Sequence, residues 1–220
     1  MFTVHRLFVA VSLGMVLVAS TAHAASEVSP DISLILDGRF TSYNNGSDYE
    51  LPGFMLSDEA GREEKGFRLG RNELMLNANI DEMFYGQMTS TLSDSEGTTE
   101  VELEEAYIET LNLGNDTAIR AGRFFSDLGY LNSQHRHTWD FADAPLVYRG
   151  LFGDQLRDDG VQLKWIAPTN ISLKLGAEMT SGARYPAGRA ANGGKGAYAL
   201  FAEIGNNLGA NHTWQLGLSY

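Results

Sequence analysis

The chain has no cysteine among its 220 residues. A disulfide framework, the usual staple of a small exported domain, is therefore excluded, and stability must come from backbone pairing and packing. Proline is scarce, with 5 residues, so little in the chain forbids a sheet ladder. Basic residues are outnumbered, 16 Lys and Arg against 28 Asp and Glu, for a formal charge of −12. A polyanion is not attracted to a chain of that sign, and nucleic acid is excluded as an expected partner. Catalytic signatures are also missing. No Walker or dinucleotide glycine pattern opens a helix after a strand, and Ser126 and Ser133 lie outside any G-x-S-x-G elbow. No enzyme is expected. Long apolar runs are absent with one exception, at the N-terminus.

That exception runs from Leu7 to Ala19, behind His5 and Arg6, and is followed by Ala22-His23-Ala24. It is short of the ~20 residues that a helical span needs. A basic start, an apolar centre and a small-x-small site mark a secretory signal peptide, residues 1–24, with cleavage expected after Ala24. The mature part, 25–220, keeps 15 basic and 28 acidic residues, a formal charge of −13.

The mature chain is written in short alternations. Ile32, Leu34, Leu36 and Phe40 share one phase of a strand over 31–44, against Ser33, Asp37 and Arg39. Such a period of two predicts a strand with one apolar side. The same pattern predicts strands over 67–80, with a bulge near Gly70, and over 83–92, 100–111, 117–125, 161–166, 171–179, 197–204 and 212–220. Over 100–111 the phase is broken by Glu105 and Glu109, and a helix is the alternative there because Glu is a good helix former. The connections 45–66, 93–99, 125–160 and 180–196 read as long, and 81–82, 112–116, 167–170 and 205–211 as short. Long loops at one end and short turns at the other predict an all-β fold, an antiparallel transmembrane β-barrel of the porin-like kind. Phe40, Phe67, Phe84, Trp165, Tyr198 and Trp214 near strand ends are candidates for its interfacial girdles. An even strand number is the rule for bacterial barrels. Nine predicted strands leave Trp214, Leu216, Leu218 and Tyr220 on a strand that would run outward. The chain is therefore expected to be the N-terminal part of an incomplete barrel.

The connection from Phe125 to Gly160 exceeds the roughly 12–15 residues at which structureless loops become uncommon and usually functional. It carries His135 and His137 together with Arg136, Arg149, Asp140 and Asp143, and Arg123 stands just before it. Folded inward, it would form a constriction whose selectivity comes from charge and width. Arg120, Arg123, Arg136 and Arg149 are the candidate basic lining. Glu100, Glu102, Glu104, Glu105 and Glu109, with Asp140 and Asp143, are the acidic one. His135-Arg136-His137 supports an alternative, a receptor for a metal ion or metal complex. Imidazole suits zinc, copper and nickel, and an H-x-H pair in a strand points both rings to one side.

Several stretches resemble a known family: 30–38, 49–54, 100–107, 121–125, the run 139–149 (WDFADAPLVYR) and 158–163. They are similar to the phosphate-selective porin-like outer-membrane proteins, especially a branch often labelled zinc-regulated or TonB-dependent outer-membrane receptors. The resemblance implies a barrel of about sixteen strands, a size that leaves an aqueous channel. It implies the outer membrane of a Gram-negative cell, contact with lipid and lipopolysaccharide, insertion by the barrel-assembly machinery, and a homotrimer. No plug-like domain stands before the first predicted strand, so passive diffusion of small hydrophilic or ionic solutes is expected, with no cofactor. Zinc enters only with the receptor alternative.

Overall fold

The computed structural model describes residues 29–44, 65–95, 97–111, 113–188 and 196–220. The signal peptide, most of the first long connection with the 49–54 motif, and part of the 180–196 connection lie outside the described residues. The elements are β1 (Asp31–Ile35), β2 (Gly38–Thr41), β3 (Gly66–Leu69), β4 (Asn72–Asn79), β5 (Phe84–Ser95), β6 (Thr98–Thr110), β7 (Thr117–Phe125), a 3-10 turn (Arg136–Thr138), α1 (Leu146–Phe152), β8 (Arg157–Ile166), β9 (Ser172–Thr180), β10 (Ala197–Leu208) and β11 (His212–Ser219). Nine strands form one antiparallel sheet in the order β1-β4-β5-β6-β7-β8-β9-β10-β11, and β2-β3 forms a two-stranded continuation. The all-β antiparallel fold and the meander order match the expectation. No closed barrel forms among the described residues, because β1 and β11 are left as the two edges.

The nine predicted strands correspond to the nine of the sheet, once β1 with β2 and β3 with β4 are each taken as one. Both breaks fall opposite each other, where Gly70 N–H donates to Asp37 O at 2.8 Å. This is the irregularity expected near Gly70. Two expectations need correction. The stretch 93–99 is not a long loop, since β5 and β6 stay paired to Ser95 and Thr98. Polar residues there belong to strands that run on past their neighbours. The stretch 100–111 is strand, as expected, and the helix alternative does not hold. Finally, β8 begins four residues before Val161, at Arg157, so the insert is 126–156, and α1 and a 3-10 turn give it structure.

The broken phase on β6 has a physical cause. Thr89 pairs with Glu105 and Ser90 with Leu103, leaving Glu104 as an extra residue. A bulge of this kind re-aims the side chains that follow it. Glu102 and Glu104 before it, and Glu105, Tyr107 and Glu109 after it, therefore share one face. The opposite face takes Val101, Leu103, Ala106 and Ile108.

Register extends this sorting across the sheet. One face carries Glu73, Thr89, Thr91, Glu105, Gln162 and Glu178, linked through successive partners, and these are buried, with Thr89 and Gln162 at 0 % exposure. The other face carries Ile32, Leu76, Met88, Ile108, Val161, Met179, Leu200 and Leu218, placed there by the same register. It is open, with Ile32 at 67 %, Met179 at 72 % and Leu218 at 78 % exposure. The sheet is thus apolar where it is uncovered and polar where it is covered, the reverse of an ordinary half-buried sheet. Glycine serves close approach on the covered face. A Cβ on Gly176 would lie 2.0 Å from the Phe201 ring, and one on Gly122 (φ +133°) 2.2 Å from Ala106 O.

Candidate functional site

The covered face is covered by the insert. Its neck is closed by Asn132, which is fully buried. The Asn132 amide donates to Ser126 O (2.8 Å) and Leu156 O (2.7 Å), and its oxygen accepts from Leu156 N–H (2.6 Å). Gln155 ties the same turn to Asn132 O and Gln134 O. Beyond the neck, α1 is seven residues ending in Gly153 in the left-handed conformation. Asp154, at φ 99°, is a strained non-glycine position, and its carboxylate pairs with Arg136.

From this neck the insert reaches across the sheet as a strap. On β9, Glu178 accepts from Asp127 N–H (2.9 Å) and from Gln162 (2.8 Å). Towards the last strand, Gly129 N–H donates to Ser219 Oγ at 3.2 Å. Towards the first strands, His135 and His137 both meet Glu73 of β4. His137 Nδ1 lies 3.0 Å from Glu73 Oε2. His135 Nε2 lies 3.0 Å from Glu105 Oε2. His135 Nδ1 is 3.3 Å from Glu73 Oε2, buried there without an aligned hydrogen bond. The two imidazoles stack at 5.8 Å, and Phe125 packs edge-on to His135. The residues form a 3-10 turn rather than the strand assumed for an H-x-H pair, yet both rings point to one carboxylate. Burial would lower the His135 pKa, but the close contact with Glu105 and the charges of Glu105 and Glu73 push it up to about 10. At neutral pH His135 is an imidazolium held between two carboxylates.

A second ionic knot lies beside it. Glu104 pairs with Arg71 and Arg157, and Glu102 with Arg157, Arg184 and, at 3.9 Å, Arg71. Arg157 also lies over the Phe125 ring. Asp158, buried, accepts from Ser181 Oγ (2.7 Å) and Ala183 N–H (3.2 Å), tying the turn after β9 to β8.

The expected site residues divide accordingly. Glu102, Glu104, Glu105, His135 and His137 come together. Arg136 pairs with Asp154 and lies 5.7 Å from the Trp139 ring. Arg149 is buried in α1. Arg120 stands apart, bonded to Glu109 at 2.7 Å over the Tyr107 ring, with Lys164 on the same carboxylate. Arg123 is held in a two-pronged pair with Asp159 of β8 at 2.7 and 3.1 Å, and its Nη1 donates to Leu103 O at 3.2 Å. Asp140, Asp143 and Glu100 are exposed, and the two aspartates do not join the histidines. The residues missed are Arg71, Glu73, Arg157 and Arg184. Glu73 lay hidden as an ordinary polar position of an alternating strand.

Metal binding can be tested on the donor set. Glu73, Glu104 and His135 offer ligand atoms within 4.8 Å of one another. Glu104 already serves two guanidiniums, and His135 carries a proton that a metal would have to displace, since ligating imidazole is neutral. A zinc ion would have to displace these partners to bind.

A protein of Aquifex aeolicus (strain VF5), described as an uncharacterized protein, is 40% identical over 162 residues, which is 70% of this chain and 34% of that protein. The chain spans about a third of the length of this relative. No family model matches, and no solved structure does.

Proposed function

We propose that the chain is part of the wall of an outer-membrane, porin-like β-barrel through which small hydrophilic or ionic solutes diffuse, with the insert 126–156 as its constriction. The observation that carries this reading is the inverted polarity of the sheet. Soluble monomers rarely leave a contiguous apolar face of this extent open, whereas a barrel in lipid needs apolar residues outside and polar ones inside. Strand length agrees: β7, β8 and β9 have 9, 10 and 9 residues, and a tilted membrane strand needs ~9–11. Aromatic pairs lie near one end, Phe40 with Phe67 and Tyr198 with Tyr220, where an interfacial girdle belongs. Sheet edges at β1 and β11 would be closed by further strands of a larger barrel, consistent with a relative roughly twice as long as this chain. The test is conductance of the detergent-purified protein in planar lipid bilayers. Stepwise ohmic currents are expected. A protein that stays in the aqueous phase without detergent and carries no current contradicts the reading.

A further inference from the structure

Resting on that channel reading, we propose that solutes pass on the β9–β11 side of the strap. The lane is lined by Ser172, Lys174, Glu203, Asn207 and Gln215 beneath Tyr130, and it accepts neutral or zwitterionic polar solutes. The β4–β7 side, where the sequence concentrates its charges, is filled. Glu73, Glu104, Glu105 and Arg157 are at most 6 % exposed, their charges are paired, Glu104 with Arg157 and Arg71, Glu105 with His135 and Glu73 with His137, and Phe125 and His135 close over them. The cavity by Arg71, Arg136 and His137 holds only about 210 Å³. On the other side, the described residues leave a cleft of about 830 Å³, bounded by Tyr130 of the insert and the polar rows of β9, β10 and β11. Register puts Ser172 and Lys174 on the same face as Glu203 and Gln215.

The chemistry of this lining sets the solute class. Lys174 Nζ is 2.8 Å from Glu203 Oε1 and 3.5 Å from Asp127 Oδ2, and the Gln215 amide donates to Glu203 Oε2 at 2.8 Å. The charges of the lane face each other. A strongly charged solute must compete with that pair, while hydroxyl and amide solutes exchange hydrogen bonds with water, Ser172, Asn207 and Gln215 at little cost.

The chain lacks cysteine, so one introduced thiol reports one position. Ser172→Cys, Asn207→Cys and Gln215→Cys are compared with Thr89→Cys and Thr91→Cys. The measurements are labelling by a membrane-impermeant maleimide in detergent and bilayer current before and after a bulky cationic methanethiosulfonate. The lane thiols are expected to label and, once modified, to lose more than about half of the current, as blockage at a narrow pore does. The two threonine positions are expected to do neither. Reactive, blocking thiols at 89 and 91 would overturn the lane by placing the path through the charged cluster. Labelled lane thiols with undiminished current would overturn the lane and leave the channel reading standing. Absence of current from the unmodified protein would overturn the channel reading itself, with the lane. Lys174→Gln is expected to shift the reversal potential in a salt gradient towards cations from a parent value near zero, and strong ion selectivity in the parent would refute the solute class.

Discussion

Val161 is the position at which the two possible surroundings of the apolar face differ most. It is near the middle of the ten-residue β8, 50 % exposed, and flanked by Ala121 on β7 and Met179 on β9. At a rise of about 3.3 Å per residue it is roughly 15 Å along the strand from either end. Val161→Arg has room, because Ala121 is small and the outward side is open, so no steric cost is expected. If the face meets water, this is a surface substitution and stability changes by about 0.5 kcal/mol or less. If it meets hydrocarbon near mid-depth, a guanidinium costs about 2–4 kcal/mol, more than tenfold in the folding equilibrium. The assay is urea titration of refolding into phosphatidylcholine vesicles, followed by tryptophan fluorescence. Val161→Ala serves as control, since it removes methyl groups without adding charge. A cost for Val161→Arg no greater than that of Val161→Ala would refute the assignment of this face to lipid.

Three further outcomes follow from the strap. The folded pKa of His135, about 10, lies above its ordinary 6.5, so its contribution is complete below pH 6.5 and is lost as pH rises through about 10. The stability gap between the parent and His135→Gln should be widest at pH 6 and close towards pH 10 in thermal melts, and a constant gap would contradict the ion pair. Arg157→Ala strips Glu104 and Glu102 of a nearly buried partner and is expected to cost roughly 3–5 kcal/mol in urea titration in detergent, with Glu104→Gln in that background restoring part. Isothermal titration with zinc is expected to give no heat above that of a His135→Ala/His137→Ala variant, and saturable binding lost in that variant would contradict the occupied donor set.

The strands were legible because period two is a local signal, and one phase assigns every residue from Ile32 to Leu34 or from Val161 to Leu163 to a face. The bulge at Glu104 showed only as a conflict of phase, which the helix alternative misread. Composition alone predicts a loop over the hydroxyl- and acid-rich stretch 93–99, although strands extending beyond their neighbours are just as polar. Arg157, Asp158 and Asp159 read as part of the insert for the same reason. The site itself was half readable. Histidines and clustered glutamates announced themselves, but the pairing of His135 with Glu73, far apart in sequence, leaves no local mark. Asp140 and Asp143, close to the histidines in sequence, turn to solvent.

In the proposed channel the apolar face meets lipid while the strap lies on the other side of the wall. The chain's 3 tryptophans sort themselves for a direct test. Trp165 follows Val161 and Leu163 on the apolar row and Trp214 lies beside Leu216 on the same face, whereas Trp139 belongs to the insert and donates to Gln134 O at 3.0 Å. Single-tryptophan variants reconstituted in brominated phosphatidylcholine should show strong quenching of Trp165 and Trp214 and little of Trp139. Equal quenching of all three, or none at Trp165 and Trp214, would contradict the account.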